Sequence, residues 1–257
     1  MNFDILVNKV KEAGDLMLES SLAYQVTKKG DKDFVTSYDL AIEERLKKEL
    51  TNLFPHIPLM AEEGEFLEKR PKSLFILDPL DGTTNFIHDY KESCVSLGFV
   101  HEEKPIFGLV YNPFSKELYL GEKGKGASLN GKKIQVSSID KIEDALIGAE
   151  TSPYEREKSV EHFRVLERVF KESMDLRIGG SASLDICYVA VGRTQGFLTR
   201  RLSPWDYAGP LCILQEAGGI YSQWDGRAVS FFEKSDILAA NNMKIWETLH
   251  GIIKKEV

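Results

Sequence analysis

Cysteine is scarce in this chain and shows no pairing pattern. Cys94, Cys187 and Cys212 lie far apart in apolar stretches, so neither a disulfide framework nor a Cys-rich zinc site can be assembled from them. Buried free thiols are the expectation. Histidine offers no ligand set either: His56, His88, His101, His162 and His250 are scattered without metal spacing. Long apolar runs are missing as well. The opening MNFDILVNKVKEAGDLMLES carries acids from Asp4 onward and resembles neither a signal peptide nor a membrane span, so a cytoplasmic location with no membrane partner is expected. Runs of Lys and Arg are absent, and a net charge of −7 argues against binding a phosphate backbone, so nucleic acid is not an expected partner.

With 257 residues, 42% of them hydrophobic, the chain can bury one large core or two modest ones. Phe3, Leu6, Val10, Ala13 and Met17 recur at spacings of three and four, which predicts an amphipathic helix. Ile42, Leu46, Leu50 and Leu53 predict a second, starting near Thr36 or Ser37 and stopping before Pro55, with Asp39 in its first turn. From Ser73 to Leu120 the runs SLFILDPL, CVSLGFV, IFGLVYN and ELYLG read as strands. Gly121, Gly124 and Gly126 lack the Lys-Ser or Lys-Thr of a phosphate loop and fit a bulged hairpin. Beyond Ile147 the pattern predicts helices over about 154–170 and 181–191, the strand QGFLTR, a helix over 204–217, the strands GIYSQ and ILAAN, and a closing helix marked by Ile245, Leu249 and Ile252. This interleaving implies a layered α/β architecture. A single domain over 1–257 is expected, and any division into lobes falls near 1–145 and 146–257.

Carboxylates at strand ends carry the chemistry. In LFILDPLDGTTNF an apolar strand runs into Asp78 and Asp81, with Pro79 stiffening the turn and Gly82 allowing close backbone approach to an anion. Magnesium takes oxygen ligands and keeps several waters, so a few such acids completed by a substrate phosphate make a suitable site. An Asp-rich turn would explain this string equally well. The balance tips on LMAEEGE, where Glu62 and Glu63 follow another short apolar strand: like charges gathered at adjacent strand ends are unfavourable without a cation. In RLSPWDYAGP, Ser203 and Pro204 signal a helix start that puts Asp206 in the first turn, where the helix dipole alone could account for it.

These segments resemble the inositol monophosphatases, within the wider group of lithium-sensitive sugar phosphatases. The resemblance covers nearly the whole chain and rests on DPLDGTTNF at 78–86, AEEGE at 61–65, and PWDYAG at 204–209 with the Gly pair beginning at Gly218. It implies an αβαβα sandwich, with a mixed or antiparallel sheet in the first half and a smaller sheet with helices in the second. It also implies a homodimer. Glu62, Asp78, Asp81, Asp206 and the carbonyl of Leu80 are its metal ligands, for two or three Mg2+ ions or substituting Mn2+, and Glu63 supports them. Asp39 and Thr83 would position the attacking water, with Glu62 beside them in the catalytic set. Gly82 and Thr83 would hold the phosphate, with Lys28 close by, while Gly180, Ser181 and Ala182 in GGSAS would touch the alcohol portion near Asp81 and Asp206. The implied reaction is in-line attack by a metal-activated water, without a covalent phosphoenzyme.

Inositol-selective members carry a Glu seven residues before the Asp of the PWD motif; here that position is Thr199, followed by Arg200 and Arg201. Thr199 could still bond a substrate hydroxyl, and Arg201, if it faced the pocket, could bind a second phosphate. An ion-paired strand end is the simpler reading of the arginines. The expected activity is therefore hydrolysis of inositol 1-phosphate and related polyol or sugar phosphates. Fructose-1,6-bisphosphate, NADP and 3′-phosphoadenosine nucleotides are alternative substrates. A metal-free glycosidase, and a non-catalytic dimeric scaffold binding protein or RNA, are the competing classes.

Overall fold

A computed structural model describes residues 2–19, 24–29, 34–64, 67, 69–153 and 155–257. α1 (Asp4–Gly14) buries Leu6, Val10 and Ala13 on the face that the spacing predicts, then tightens into a 3-10 turn at Asp15–Leu18. An antiparallel ribbon of β1 (Val26–Lys28) and β2 (Phe34–Thr36) leads into α2 (Ser37–Leu53). Thr36 caps α2, and the helix ends before Pro55 as expected.

The seven-stranded sheet follows the chain. Its strands are β3 (Leu59–Ala61), β4 (Ser73–Asp81), β5 (Cys94–His101), β6 (Lys104–Asn112), β7 (Glu117–Glu122), β8 (Gly126–Leu129) and β9 (Lys132–Ile134), and only the β3–β4 pair is parallel. The short helix α3 (Thr83–Ile87) follows β4. The second half supplies β10 (Leu146–Ala149), α4 (Ser159–Glu172), β11 (Asp175–Ile178), α5 (Ala182–Ala190), β12 (Gly196–Leu202), α6 (Pro204–Glu216), β13 (Ile220–Gln223), β14 (Ser235–Ala240) and α7 (Met243–Glu256). Its five strands lie in the order β11-β10-β12-β14-β13, with β10 parallel to both neighbours and β14 antiparallel to both of its own.

Three apolar clusters bind five layers together. One joins α1 and α2 to the large sheet, one fills the space between the sheets around α5 and α6, and one joins α4 and α7 to the small sheet. The fold is thus the αβαβα sandwich expected. The chain passes from one sheet to the other between Ile134 and Leu146, yet α6 returns to pack on β5, β6 and β7.

Glycine makes that return possible. Gly98, Gly108 and Gly121 stand on adjacent strands under α6, and a Cβ at Gly108 would lie 2.0 Å from the carbonyl oxygen of Gly209. The helix therefore rests on strand backbone, which brings its N-terminus to the end of β4. Gly121 belongs to this lane, whereas Gly124 and Gly126 form the expected turn with positive φ, and their N–H groups donate to Glu216 Oε2 at 2.9 and 3.0 Å.

The second half departs in detail from the sequence reading. The helix expected over 154–170 begins at Ser159, after a 3-10 turn at Arg156–Lys158, and Tyr154 lies outside the described residues. β10 and β11 were not anticipated; at four residues each they are too short to display a period of two. No helix among the described residues is long and apolar enough to cross a membrane.

Candidate active site

β4 is buried from Leu74 to Leu80, and its ladder with β5 is interrupted between Asp78 and Asp81. Pro79 has no N–H to donate there. Asp78 Oδ1 accepts the N–H of Leu80 at 3.0 Å, which fixes the turn. Gly82 then takes φ +84 to start α3, where a Cβ would lie 2.7 Å from the carbonyl oxygen of Glu92. Only glycine suits both requirements.

Asp206 comes from the other half of the chain. Ser203 caps α6, Pro204 takes the first position, and the N–H of Ser203 donates to Asp206 Oδ2 at 2.7 Å, so the structural role considered for this acid is real. Pro210, inside the helix, removes the bond that the Asp206 carbonyl would normally accept. The Ser183 hydroxyl donates to that carbonyl instead, at 2.9 Å, and ties the start of α5 to the start of α6. Capping does not exhaust Asp206: Asp78, Asp81 and Asp206 each bring a carboxylate oxygen within 4.8 Å of the others.

Glu62 follows β3 and hydrogen-bonds Asp78, although it stands outside that tight group of three. Burial holds the carboxyls of Glu62, Asp78, Asp81 and Asp206 above the usual carboxylate range. Mutual repulsion adds to the rise: Asp206 acts on Glu62, Glu62 and Asp81 on Asp78, and Asp81 on Asp206. Hydrogen bonds from the Ser181 hydroxyl and the Ser183 N–H, both at 2.7 Å, draw Asp81 back. Acids that repel each other and offer only oxygen donors, Asp78 buried and Asp81 and Asp206 half-buried, fit a hard divalent cation. Glu62, Asp78, Asp81, Asp206 and the Leu80 carbonyl would hold it.

Lysine supplies part of the counter-charge. Lys29 Nζ pairs with Glu63 and lies 3.7 Å from Glu62 Oε1, while Glu63 accepts no such role among the three aspartates and its N–H donates to Glu43 Oε2 at 3.0 Å. Lys28, the residue expected here, is exposed on β1.

Asp39 is fully buried, and its two oxygens do different work. Oδ2 completes the capping box of α2 by accepting from the N–H of Thr36 at 2.8 Å and from the Thr36 hydroxyl. Oδ1 lies 3.3 Å from the Thr83 hydroxyl, which is also 3.0 Å from the carbonyl oxygen of Leu80. Burial pushes the Asp39 carboxyl up to about 6, against the opposing pull of the Thr36 hydrogen bonds. The helix-start role and the contact with Thr83 therefore coexist.

Gly180 has φ +79, and Ser181 caps α5, whose first residue is Ala182. The expected alcohol-binding loop thus adjoins Asp81 through the Ser181 hydroxyl. Thr199 and Arg201 need correction. Thr199 has no exposed surface, and its hydroxyl lies 3.2 Å from that of Ser152, so it presents nothing to a substrate. Arg201 gives its guanidinium to Glu155 at 3.1 Å, and Arg200 is buried in ion pairs with Glu155 and Glu161 over the face of Trp224. Both are the ion-paired strand end that was the simpler reading. The three cysteines are buried and free, with Cys94 Sγ 3.9 Å from Asp81 Oδ2.

A sequence profile described as the inositol monophosphatase family matches residues 4–257. The chain belongs to that family. It is 33% identical to the Nus factor SuhB of Vibrio cholerae over 93% of this chain and 90% of that protein. It is 36% identical to a fructose-1,6-bisphosphatase/inositol-1-monophosphatase of Aquifex aeolicus, over 89% and 83% respectively. The crystal structure of the extragenic suppressor protein SuhB from Bartonella henselae superposes with a TM-score of 0.92 at 32% identity, covering 99% of each chain. The chain is therefore a member of a phosphatase family, and Asp78, Asp81 and Asp206 form an acidic group that could hold a metal ion.

Proposed function

We propose that this inositol monophosphatase family member is a magnesium-dependent phosphomonoester hydrolase acting on inositol 1-phosphate and on related polyol or sugar phosphates. The observation that carries this reading is the convergence of Asp78, Asp81 and Asp206 beside the Asp39–Thr83 contact. When bound, magnesium would lower the pKa of water and offset charge on the phosphoryl and leaving oxygens.

The chain's own groups supply orientation. With Asp39 ionised, the Thr83 hydroxyl can give its proton to Oδ1 or to the Leu80 carbonyl, both within 3.3 Å. Either choice leaves a lone pair on Thr83 Oγ1 to accept a hydrogen of the attacking water. Gly82 and Thr83 present backbone N–H groups to the phosphate at the start of α3, and Gly180, Ser181 and Ala182 receive the alcohol portion. The water's oxygen bonds to phosphorus, the bond from phosphorus to the ester oxygen breaks, one hydrogen of the water ends on the departing alcohol oxygen, and inorganic phosphate is released.

Thr199 is uncharged and buried, so no carboxylate at that position awaits a particular sugar hydroxyl. A site without such a group rejects analogues weakly. Inositol 1-phosphate and at least one other polyol or sugar phosphate should be hydrolysed within about 100-fold of each other in kcat/KM. A phosphate-release panel spanning sugar, inositol and nucleotide phosphates tests this, and more than about 10,000-fold selectivity for inositol 1-phosphate would contradict it.

The competing reading is a binding protein, favoured by the name Nus factor carried by the Vibrio cholerae relative. A module that only bound partners would have no use for the buried acids, and hydrolysis of no ester in the panel would favour it. The same reading of the family includes a homodimer. Val160, Phe163, Phe170, Met174 and Ile178 are exposed along α4 and β11, and β11 forms an open edge of the small sheet. A second copy is the occupant proposed, since exposed apolar side chains line α4 beside that open edge. Phe163→Asp should shift the mass measured by light scattering toward the monomer.

A further inference from the structure

Two acids behind the alcohol-binding loop, Asp185 buried and Glu150 half-buried, have no part in the scheme above. Glu150 follows β10, and Asp185 sits in the first turn of α5. Their carboxyls hydrogen-bond each other, the Gly179 N–H donates to Asp185, and the Gly180 N–H donates to Glu150. Glu150 Oε1 and Asp185 Oδ2 are shut off from solvent without a donor among the neighbouring groups. Two ionised carboxylates so placed would repel, whereas one proton between them supplies the missing donor. Burial favours keeping that proton, since it raises Asp185 and Glu150 together.

The loop fits closely against this pair. A Cβ at Gly179 would lie 2.6 Å from Asp185 Oδ1, and one at Gly180 would lie 2.9 Å from Asn85 Oδ1. Asn85 Nδ2 donates to the carbonyl oxygens of Gly179, at 2.9 Å, and Glu92, at 2.8 Å. The loop is thereby fastened on one side to the motif that bears Asp81 and on the other to the acid pair.

We propose that Glu150 and Asp185, joined through a single proton, position the loop of Gly179, Gly180 and Ser181 and so set the affinity for the alcohol portion of the substrate. The kinetic side of this inference rests on the phosphatase reading; the loop geometry does not. Donor counting gives a distinctive signature. Each glycine N–H needs an oxygen, one on each side chain, and the bond between the side chains needs one donor and one acceptor. Glu150→Gln or Asp185→Asn alone satisfies all three bonds, with the amide taking the place of the shared proton. The double replacement must set donor against donor or leave a glycine N–H unpaired.

The test combines amide hydrogen exchange over residues 179–183 with steady-state phosphate release from inositol 1-phosphate in magnesium. Each single amide variant should keep the loop's protection and hold KM within about twofold, while the double variant should lose protection and raise KM roughly tenfold at a kcat within about threefold. Inhibition by inorganic phosphate, which lacks the alcohol, should stay within about twofold in all three. A double variant no worse than the singles would overturn the proposal, as would singles as damaging as Glu150→Ala. Should the double variant fail to fold, the contrast between Glu150→Gln, protected as in the wild type, and Glu150→Ala, unprotected, decides. Absence of phosphate release by the wild type would defeat the phosphatase reading alone, and loop protection would still settle the positioning role.

Discussion

Replacing Asp39 by Asn separates its two oxygens. The asparagine Oδ1 can take over the cap by accepting the Thr36 N–H, and its Nδ2 then faces the Thr83 hydroxyl, which can accept. The site loses a group able to take the Thr83 proton. Burial raises the Asp39 carboxyl from the ordinary 3.8 to about 6; at about 1.4 kcal/mol per tenfold change in proton affinity, that amounts to about 3 kcal/mol. The folded state binds the proton more tightly than the unfolded state does. The contribution is therefore complete below pH 3.8 and lost as pH rises through 6. Asp39→Asn lacks that titration, so in chelator its stability relative to wild type should improve between pH 4 and pH 6 and level off above. The gain should approach about 3 kcal/mol, a figure already net of the charged hydrogen bonds from Thr36. In phosphate-release assays the wild-type kcat should fall below pH 6 as Asp39 protonates, and the variant should lose about 100-fold or more in kcat with little change in magnesium affinity. Thr83→Ala should be similarly slow, and the double variant only slightly slower than the worse single. A near-wild-type kcat with an unaltered pH profile would remove Asp39 from the reaction and leave it a helix cap.

Asp78→Asn should abolish magnesium-supported turnover yet raise the urea midpoint of the chelated protein, because it removes one charge from a buried repulsive cluster; a lower midpoint would mean that the acids are not in mutual repulsion. Gly108→Ala should cost about 3 kcal/mol or more in a denaturant titration, since its Cβ would meet the Gly209 carbonyl oxygen at 2.0 Å, and an unchanged midpoint would show that α6 does not rest on the strands. Lithium should inhibit by occupying a metal position after hydrolysis and holding phosphate in place; inhibition simply competitive with substrate in initial-rate kinetics would speak against that mechanism.

The features most legible in the sequence were those that local chemistry fixes. Thr36, the apolar spacing of Ile42, Leu46 and Leu50, and Pro55 mark α2 at both ends, because capping and φ restriction act within a few residues. Asp78, Pro79, Asp81 and Gly82 likewise give away the turn at the end of β4. Long-range features were less visible. Gly98, Gly108 and Gly121 occur in strands where glycine signals close backbone approach, but nothing in the strands says that α6 is what approaches. Thr199 was placed correctly along the chain, yet its burial against Ser152 depends on how β12 meets the segment after β10. Glu150 and Asp185 passed unnoticed because they lie 35 residues apart, as their numbering shows, and each alone looks like an ordinary surface acid.

Phosphate release from inositol 1-phosphate, followed in magnesium and then in excess chelator with magnesium restored afterwards, addresses the acidic cluster most directly. Turnover should appear with the metal, vanish in chelator and return when magnesium is added back, because the carboxylates of Asp78, Asp81 and Asp206 would otherwise repel a phosphate dianion. Undiminished hydrolysis in excess chelator would contradict the metal-dependent reaction outright.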